Sequence, residues 1–218
     1  MKITILSWKG GVGKSTIAQN LLVFSALAGH STALIDADNN KSSLSWYGYR
    51  PDDKPLPKST VVGNTDKGSI VRMVQDLADN YENIIIDCPP IDSAVTTRAL
   101  LAADICLIPI APSGGGDLWA TQGLFDHIQL MQEKIGRKIH VYVLINRFKP
   151  GINLHADYIK AMKEHEEEYD IKVLDFEINE RISFGYANVE GLSVLEGTDQ
   201  KAIKQFNHFA KTILGTKI

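Results

Sequence analysis

The fold of this 218-residue chain is decided by the stretch Lys9-Gly10-Gly11-Val12-Gly13-Lys14-Ser15-Thr16. The apolar run from Ile3 to Leu6 stands just before it and predicts a short strand. Residues 16–27 predict a helix, which Gly29 ends. Glycines let backbone N–H groups approach a phosphate closely, and the N-terminus of the following helix favours an anion. The stretch therefore predicts a phosphate-binding loop between a strand and a helix.

Two side chains of this loop carry the predicted phosphate chemistry. Lys14 can reach β- and γ-phosphates, and the Ser15 hydroxyl can bind Mg²⁺. The general pattern G-x-x-x-x-G-K-[ST] places glycine at position 8, where this chain has Trp8. A simple glycine turn is the alternative, but strand, loop and helix all stand where phosphate binding needs them. The predicted nucleotide-binding residues are therefore Gly10, Gly11, Val12, Gly13, Lys14, Ser15 and Thr16.

Composition predicts an ordinary globular protein made of a single domain, residues 1–218. Hydrophobic residues make up 44% and charged residues 22%, and the net charge of -3 disfavours a strongly basic nucleic-acid protein, although a local basic patch is compatible with it. Cys88 and Cys106 have neither metal nor redox spacing, which favours a reducing, cytoplasmic setting. We expect neither a signal peptide nor a membrane-spanning segment from the apolar runs.

Short apolar runs alternate with longer helical patterns along the chain. Strands are predicted at residues 3–6, 32–35, 61–62, 84–86, 105–110, 139–145 and 172–176, and helices at 16–27, 42–47, 68–78, 93–102, 118–135, 154–169 and 200–214. The glycine-rich residues 114–117 predict a flexible loop. The alternation predicts an α/β class, single-domain P-loop NTPase fold with a mostly parallel twisted sheet and helices on both faces. Ligands of such sheets bind at the carboxyl ends of the strands.

Three aspartates follow predicted strands and are candidate metal or catalytic residues. Asp36 and Asp38 are two positions apart at the end of the second strand, so their carboxylates can face the same side. An N-cap for the next helix is the alternative role for this pair. Asp87 ends the buried run Ile84 to Ile86, and a carboxylate in that place typically holds Mg²⁺, directly or through water.

Asn146 and Arg147 follow a strand that should reach the nucleotide edge of the sheet. An asparagine side chain can pair with adenine by two hydrogen bonds, because it carries both a donor and an acceptor. The alternative is an asparagine that only caps a loop. We include both residues among the candidate nucleotide-binding residues.

These motifs together resemble the deviant Walker A ATPases of the ParA/MinD family, most strongly at residues 9–16, 36–38 and 84–90. The resemblance implies binding of ATP and Mg²⁺ and an ATP-dependent sandwich homodimer in which Lys9 reaches the partner's nucleotide, as an arginine finger does. It also implies that Lys9, Lys14 and Asp38 are catalytic, with Asp38 orienting the attacking water. Ser15, Asp36 and Asp87 would support the metal, and Asn146 would contact adenine.

Within this family the chain is most similar to compact ParA-type partition proteins and to carboxysome-positioning proteins of the McdA type. The resemblance implies non-specific DNA binding, a nucleoid-associated location in the cytoplasm and a cargo-bound activator of slow ATP hydrolysis. Candidate DNA contacts are Arg147, Lys149, Arg181, Lys201, Lys204 and Lys211. Two alternatives remain: a MinD-like membrane switch, although no stable membrane anchor is expected, and a nucleotide-gated binding module with negligible hydrolysis.

Overall fold

The computed structural model describes residues 1–66, 69–91, 93–113 and 115–215, with no side chains described for residues 115–118. Its strands are Lys2–Ile5 (β1), Thr32–Asp36 (β2), Ser59–Gly63 (β3), Asn83–Asp87 (β4), Ile105–Ile110 (β5), His140–Ile145 (β6) and Ile171–Val173 (β7). Its α-helices are Lys14–Leu27 (α1), Ser42–Gly48 (α2), Ile70–Ala78 (α3), Ala94–Ala102 (α4), Gly115–Ile135 (α5), Asn153–Glu164 (α6), Glu166–Tyr169 (α7), Ile182–Val189 (α8) and Gln200–Leu214 (α9).

The seven strands form one parallel sheet in the order β3-β2-β4-β1-β5-β6-β7. The central strands are buried along their whole length, as expected for a sheet that is covered on both faces. Two apolar clusters cover these faces: one contains α1 and α9, and the other contains α4 and α5. The predicted α/β class and P-loop NTPase architecture are therefore confirmed.

The sheet order brings the predicted functional residues to one edge. β4 pairs with β2 on one side and with β1 on the other, and Asp36 and Asp87 are direct partners in the register. The phosphate loop leaves the end of β1 and enters α1, so it lies beside both aspartates. β1 also separates β4 from β5, and this change of direction in the strand order is where α/β sheets bind ligands.

Three segments differ from the sequence prediction. The predicted helix 154–169 is broken at His165, whose ring lies 6.3 Å from the Phe125 ring and 5.6 Å from the Tyr169 ring. The break directs Tyr169 inward, where its hydroxyl donates to Asp126 at 2.9 Å. The predicted flexible loop is also wrong in part, because α5 begins at Gly115. A first helical turn tolerates glycine since its N–H groups have no partner within the helix.

The third difference is α8, which the sequence did not predict. Its sequence ISFGYANV contains a glycine and several β-branched or aromatic residues, all of which are weak helix formers. Its large apolar residues Ile182, Tyr186 and Val189 face solvent, so they give no core-facing pattern. Gly68 at the start of the predicted third helix and Gly114 in the glycine-rich loop lie outside the described residues.

Candidate nucleotide site

The side chain of Asn146 holds the phosphate loop by a hydrogen bond. Asn146 Nδ2 donates a hydrogen bond to the Val12 carbonyl oxygen at 2.7 Å, and Asn146 itself is buried at the end of β6. Gly13 has φ of 95°, and a Cβ at this position would lie 2.4 Å from Asn146 Nδ2. Glycine is therefore required at position 13 both by the backbone conformation and by the close approach of Asn146.

Lys14 lies at the start of α1 and is almost entirely buried. Its Nζ donates to the Lys9 carbonyl oxygen at 3.1 Å. Burial lowers the pKa of Lys14, and the nearby negative charge of Asp87 opposes this effect. A buried ammonium at the start of a helix is well suited to bind phosphate oxygens, whose negative charge would favour its protonated form.

Asp87 is buried between the phosphate loop and α2. Its Oδ2 accepts a hydrogen bond from Ser43 Oγ at 2.8 Å. Burial raises the pKa of Asp87 to about 7, while hydrogen bonds from Ser15 and Ser43 act in the opposite direction. Ser43 could not be predicted from the sequence, because a serine in a short helix carries no motif that indicates a carboxylate elsewhere in the chain.

Asp36 and Asp38 have different surroundings although they are two residues apart. Asp36 is buried, and its carboxylate accepts from the backbone N–H groups of Leu44 at 2.9 Å and Asp38 at 3.2 Å. Asp36 therefore holds an N–H of the first turn of α2, although the N-cap residue of this helix is Lys41. Burial raises the pKa of Asp36. Asp38 is partly exposed, and its Oδ1 accepts from the Asn40 N–H at 3.0 Å.

The donors at this edge fit Mg²⁺. A hydroxyl from Ser15 and carboxylates from Asp87 and Asp36 are hard oxygen ligands, which Mg²⁺ prefers over nitrogen or sulfur. Burial raises the pKa of both carboxyls, so a divalent cation would stabilise their ionised forms. Among the described residues no group of three or more His, Cys, Asp or Glu could hold a metal by itself. This agrees with Mg²⁺ sites, where one or two carboxylates act with waters and substrate phosphates.

Lys9 precedes the glycines on the exposed side of the loop. Its Nζ donates to Ser113 Oγ in the segment after β5 at 2.6 Å. The neighbouring Trp8 packs on α5: its ring centroid lies 5.6 Å from that of His127, and a Cβ on Gly123 would come within 3.3 Å of the indole. Trp8, in place of the glycine of the general pattern, thus attaches the first part of the loop to α5.

A cleft of about 670 Å³ opens beside the loop on the β6 side of the site. Its walls include Gly13, Thr16, Asn146, Arg147, Asn179, Arg181 and residues of α8. The Asn146 amide donates one hydrogen to Val12, so contact with a base would use its second hydrogen and its Oδ1. Arg147 has φ of 53° and also lines a smaller pocket of about 300 Å³ with Lys9.

Comparison with known families identifies this arrangement. The model of the CobQ/CobB/MinD/ParA nucleotide-binding domain matches residues 3–194. This range includes the phosphate loop, the three aspartates and the cleft residues other than Phe206. The chain belongs to this family. Its members named below are ParA/MinD-type ATPases, as the motifs at residues 9–16 and 84–90 predicted.

Individual relatives extend this result. Protein ParA of Rhizobium radiobacter is 27% identical over 97% of this chain and 95% of its own length. The sporulation inhibitor Soj of Bacillus subtilis is 26% identical over 75% of this chain and 79% of its own. In fold, the chain resembles apo McdA from Cyanothece, with a TM-score of 0.82 and 19% identity over 98% of this chain and 99% of McdA. MinD of Aquifex aeolicus gives a TM-score of 0.74 at 20% identity, over 100% and 98% of the two chains.

The six candidate DNA contacts of this family member fall into three groups. Lys149 and Arg181 form salt bridges, with Glu180 at 2.7 Å and with Asp199 at 3.1 Å. Lys201, Lys204 and Lys211 are exposed on α9, where spacings of three and seven residues place them on one face. Arg147 belongs to the nucleotide cleft. Arg181 lies beside the start of α9, because its partner Asp199 is the N-cap of that helix. We call Lys201, Lys204 and Lys211, whose side chains form no salt bridge among the described residues, the basic row on α9.

Proposed function

We propose that this chain is a positioning ATPase that forms a sandwich dimer on ATP, binds DNA non-specifically and moves a cargo by partner-stimulated hydrolysis. The supporting observation is that Lys9, Lys14, Asp38 and Asp87 surround one phosphate loop in a chain of the ParA/MinD type. Relatives named ParA, Soj and McdA support a role in partition or positioning. The cargo would be a plasmid, a chromosome or a protein compartment such as a carboxysome.

Each residue of the site has its own role in the proposed reaction. Backbone N–H groups of residues 10–16 and the N-terminus of α1 bind the phosphates, and Lys14 neutralises charge on the β- and γ-oxygens. Ser15, Asp87 and Asp36 would hold Mg²⁺, which neutralises charge that develops on the transferred phosphoryl group. Asp38, the more exposed carboxylate, orients the attacking water. Lys9 of one subunit acts on the nucleotide of the other, once it leaves Ser113.

Hydrolysis is tested by measuring ATP turnover for the wild type and for Asp38→Ala, with and without DNA and a candidate activator. We expect Asp38→Ala to bind ATP and dimerise but to lose turnover by about 100-fold or more, because the water loses its orienting carboxylate. Asp53→Ala, an exposed aspartate in the loop before β3, is the control and should keep wild-type turnover. Equal turnover in wild type and Asp38→Ala would remove Asp38 from the mechanism.

The basic row on α9 supports DNA binding and gives it a specific test. We propose that Lys201, Lys204 and Lys211 contact phosphates, whereas Lys149 and Arg181 serve mainly in their salt bridges. Replacing the three lysines by Gln should weaken DNA binding and flatten its dependence on salt, because fewer counterions are released. The control replaces Lys134, Lys138 and Lys172, exposed lysines elsewhere on the surface. Equal losses in both triple variants would show that α9 is not a specific contact.

Two rival functions give different results in the same assays. A nucleotide-gated binding module predicts tight ATP binding without phosphate release under any condition. A MinD-like switch predicts ATP-dependent flotation with liposomes in place of DNA retention. No helix among the described residues is long and apolar enough to span a bilayer. A cytoplasmic, nucleoid-associated location is part of our proposal, and fluorescence microscopy of the tagged protein beside a DNA stain would test it.

A further inference from the structure

The outer face of α8 exposes three large apolar side chains in a row. Ile182 is 74%, Tyr186 is 66% and Val189 is 78% exposed. Their spacing of four and three residues places them on one side of the helix, along about 10 Å of its axis. We call these three residues the α8 patch. Single exposed apolar residues are common, but an aligned group on one short helix usually marks a binding surface.

The opposite face of the same helix contacts the nucleotide site. Phe184, Gly185 and Asn188 line the cleft beside the phosphate loop, and Ile182, at the first turn of α8, lines it as well as belonging to the patch. Asn188 Nδ2 also donates to Gln19 Oε1 on α1 at 2.7 Å. A protein bound over Tyr186 and Val189 would therefore be separated from the cleft by the thickness of one helix, whereas Ile182 borders both the patch and the cleft.

A line of hydrogen bonds continues from Asn188 to the buried carboxylate of Asp87. Gln19 Nε2 donates to Ser43 Oγ at 3.4 Å, and Ser43 Oγ donates to Asp87 Oδ2 at 2.8 Å. Gln19 and Ser43 are both buried, so water does not compete for these bonds. Displacement of α8 would thus be felt at Asp87 through α1 and α2.

A second connection joins the segment after α8 to α2. Trp46 Nε1 donates to the Leu192 carbonyl oxygen at 3.0 Å, and Arg50 Nη1 donates to the Gly191 carbonyl oxygen at 3.1 Å. A Cβ on Gly191 would lie 2.5 Å from the Arg50 backbone nitrogen, so the two segments are in direct contact. α2 carries Ser43 and is held by Asp36, so both connections lead to the metal-binding edge.

The chemistry of the patch indicates which partner it fits. None of the eight residues of α8 is charged, whereas DNA and anionic membranes are recognised through Lys and Arg. A stable dimer buries about 800 Å² per subunit, far more than three side chains provide. A pocket of about 270 Å³ adjoins Tyr186, and its charged lining residues are Lys54, Glu190, Glu196 and Asp199. It has room for a polar side chain at the end of a short apolar contact.

We propose that the α8 patch is the docking site for a short amphipathic helix of a partner protein, which changes ATP turnover through α8. This inference rests on the proposed ATPase function and names the surface through which a partner would act on it. The partner helix would place its own apolar residues, also spaced by three and four, over Ile182, Tyr186 and Val189. A polar side chain at one end would enter the pocket beside Tyr186.

The test uses a display library of amphipathic helical peptides, selected on the full-length wild-type chain. Selected peptides are then measured by fluorescence anisotropy against Ile182→Ser/Tyr186→Ser/Val189→Ser. We expect this variant to bind them at least about tenfold more weakly, because the apolar anchors of such contacts dominate affinity. The control variant Leu27→Ser/Leu130→Ser/Ile135→Ser removes three exposed apolar residues elsewhere and should bind like wild type. Equal binding by the patch variant would overturn the docking site.

The coupling is tested by adding a selected peptide to the ATPase assay. We expect turnover of the wild type to change at least about threefold, a coupling within the usual range for linked sites. Gln19→Met, which breaks the bonds to Asn188 and Ser43, should still bind the peptide but lose most of this change. Binding without any effect on turnover would overturn the coupling. Patch-dependent dimers in light scattering, or patch-dependent retention on DNA or anionic vesicles, would assign the patch to those partners instead.

The two proposals fail in different ways. If the wild type shows no turnover under any condition, the ATPase function is wrong, but anisotropy still decides whether the patch binds a helix. If turnover is normal and no selected peptide depends on the patch, the docking site is wrong and the ATPase function stands.

Discussion

The nucleotide edge and the outer face of α8 both reverse the usual distribution of residues, in opposite directions. At the nucleotide edge, Lys14, Asp36 and Asp87 are buried. Burial lowers the pKa of Lys14 and raises the pKa of both aspartates, which in each case favours the neutral form. On α8, three large apolar side chains are exposed. Both arrangements cost free energy in the isolated chain. A bound ligand would offset this cost in each region: phosphate and metal at the nucleotide edge and, under our proposal, an apolar partner at α8.

Lys14→Met should have the largest effect, because it removes a buried charge from the nucleotide edge and keeps most of the side-chain volume. We expect ATP turnover to fall by about a thousandfold, roughly 4 kcal/mol, because under our proposal Lys14 is the buried cation that neutralises charge on the phosphates. The thermal midpoint of the nucleotide-free chain should stay the same or rise, since burial of the ammonium is unfavourable there. Lys134→Met, at an exposed position on α5, is the control for both measurements. A marked loss of stability in Lys14→Met would show that the buried charge is structural.

Arg50→Ala tests how much the contacts of the segment after α8 contribute to the free energy of unfolding. The Arg50 side chain is only 6% exposed and forms a salt bridge with Glu196 and a hydrogen bond to Gly191. Its removal leaves the mostly buried Glu196 carboxylate, which is 14% exposed, without its cation. We expect the free energy of unfolding to fall by about 3 kcal/mol, measured in urea. Arg72→Ala is the matched control, because its salt bridge with Asp76 is almost fully exposed and should matter little. Similar effects of both changes would contradict the importance of burial.

Gly13→Ala measures how tightly the phosphate loop is fixed before nucleotide binds. The added Cβ would clash with Asn146, and φ of 95° is unfavourable for alanine. We expect the nucleotide-free chain to lose about 2 kcal/mol of stability in chemical denaturation. Gly10→Ala should have a smaller effect, because no atom lies within 4 Å of its Cβ position and its φ is not positive. If the two changes were equal, the contact with Asn146 would not constrain the loop.

The pH dependence of Mg²⁺ binding should report Asp87, the smallest effect of the four. Its pKa in the folded chain is about 7, above the ordinary value of 3.8, so protons and Mg²⁺ compete for this carboxylate near neutrality. In the presence of nucleotide, we expect Mg²⁺ affinity to rise about tenfold between roughly pH 6 and 8, as the carboxyl ionises. Asp87→Asn is the control, because any slope that it keeps belongs to the phosphates or to Asp36. An equal slope in both proteins would contradict the raised pKa.

The raised pKa of Asp87 also determines how the stability of the free chain changes with pH. Because the pKa of Asp87 is raised on folding, its protonation contributes stability that is fully present below about pH 3.8 and is lost as the pH rises through about 7. The free chain should therefore gain more from Mg²⁺ and nucleotide at pH 8 than at pH 6. Thermal midpoints with and without both ligands, at the two pH values, measure this difference.

Much of the nucleotide edge could be predicted from sequence because its chemistry is contiguous. Residues 9–16 form one uninterrupted motif, and Asp36 and Asp87 each end an apolar strand that any parallel sheet would place near the loop. The strand pattern also predicted the fold class, since buried parallel strands appear as continuous apolar runs. The boundary errors were mostly one or two residues, as is usual at the ends of elements.

The α8 side could not be predicted for the opposite reason. Its helix has no core-facing apolar pattern, and its contacts join residues far apart in the chain, such as Asn188 with Gln19 and Arg50 with Glu196. No local sequence pattern predicts such pairs. Ser43 and Asn146 show the same limit at the nucleotide edge: their bonds to Asp87 and Val12 depend on how β4 and β6 approach the loop. The role of Asn146 at adenine remains a prediction.

Trp8 gives the phosphate loop a spectroscopic reporter of its own. Its indole packs on Gly123 and His127 of α5 and lies one residue before Lys9. Any rearrangement that carries Lys9 away from Ser113 toward a second subunit must also move the chain next to this indole. The other tryptophans, Trp46 in the core and Trp119 on the surface, lie in very different environments. Intrinsic fluorescence of a Trp46→Phe/Trp119→Phe chain would therefore follow loop rearrangement in real time, without an attached dye.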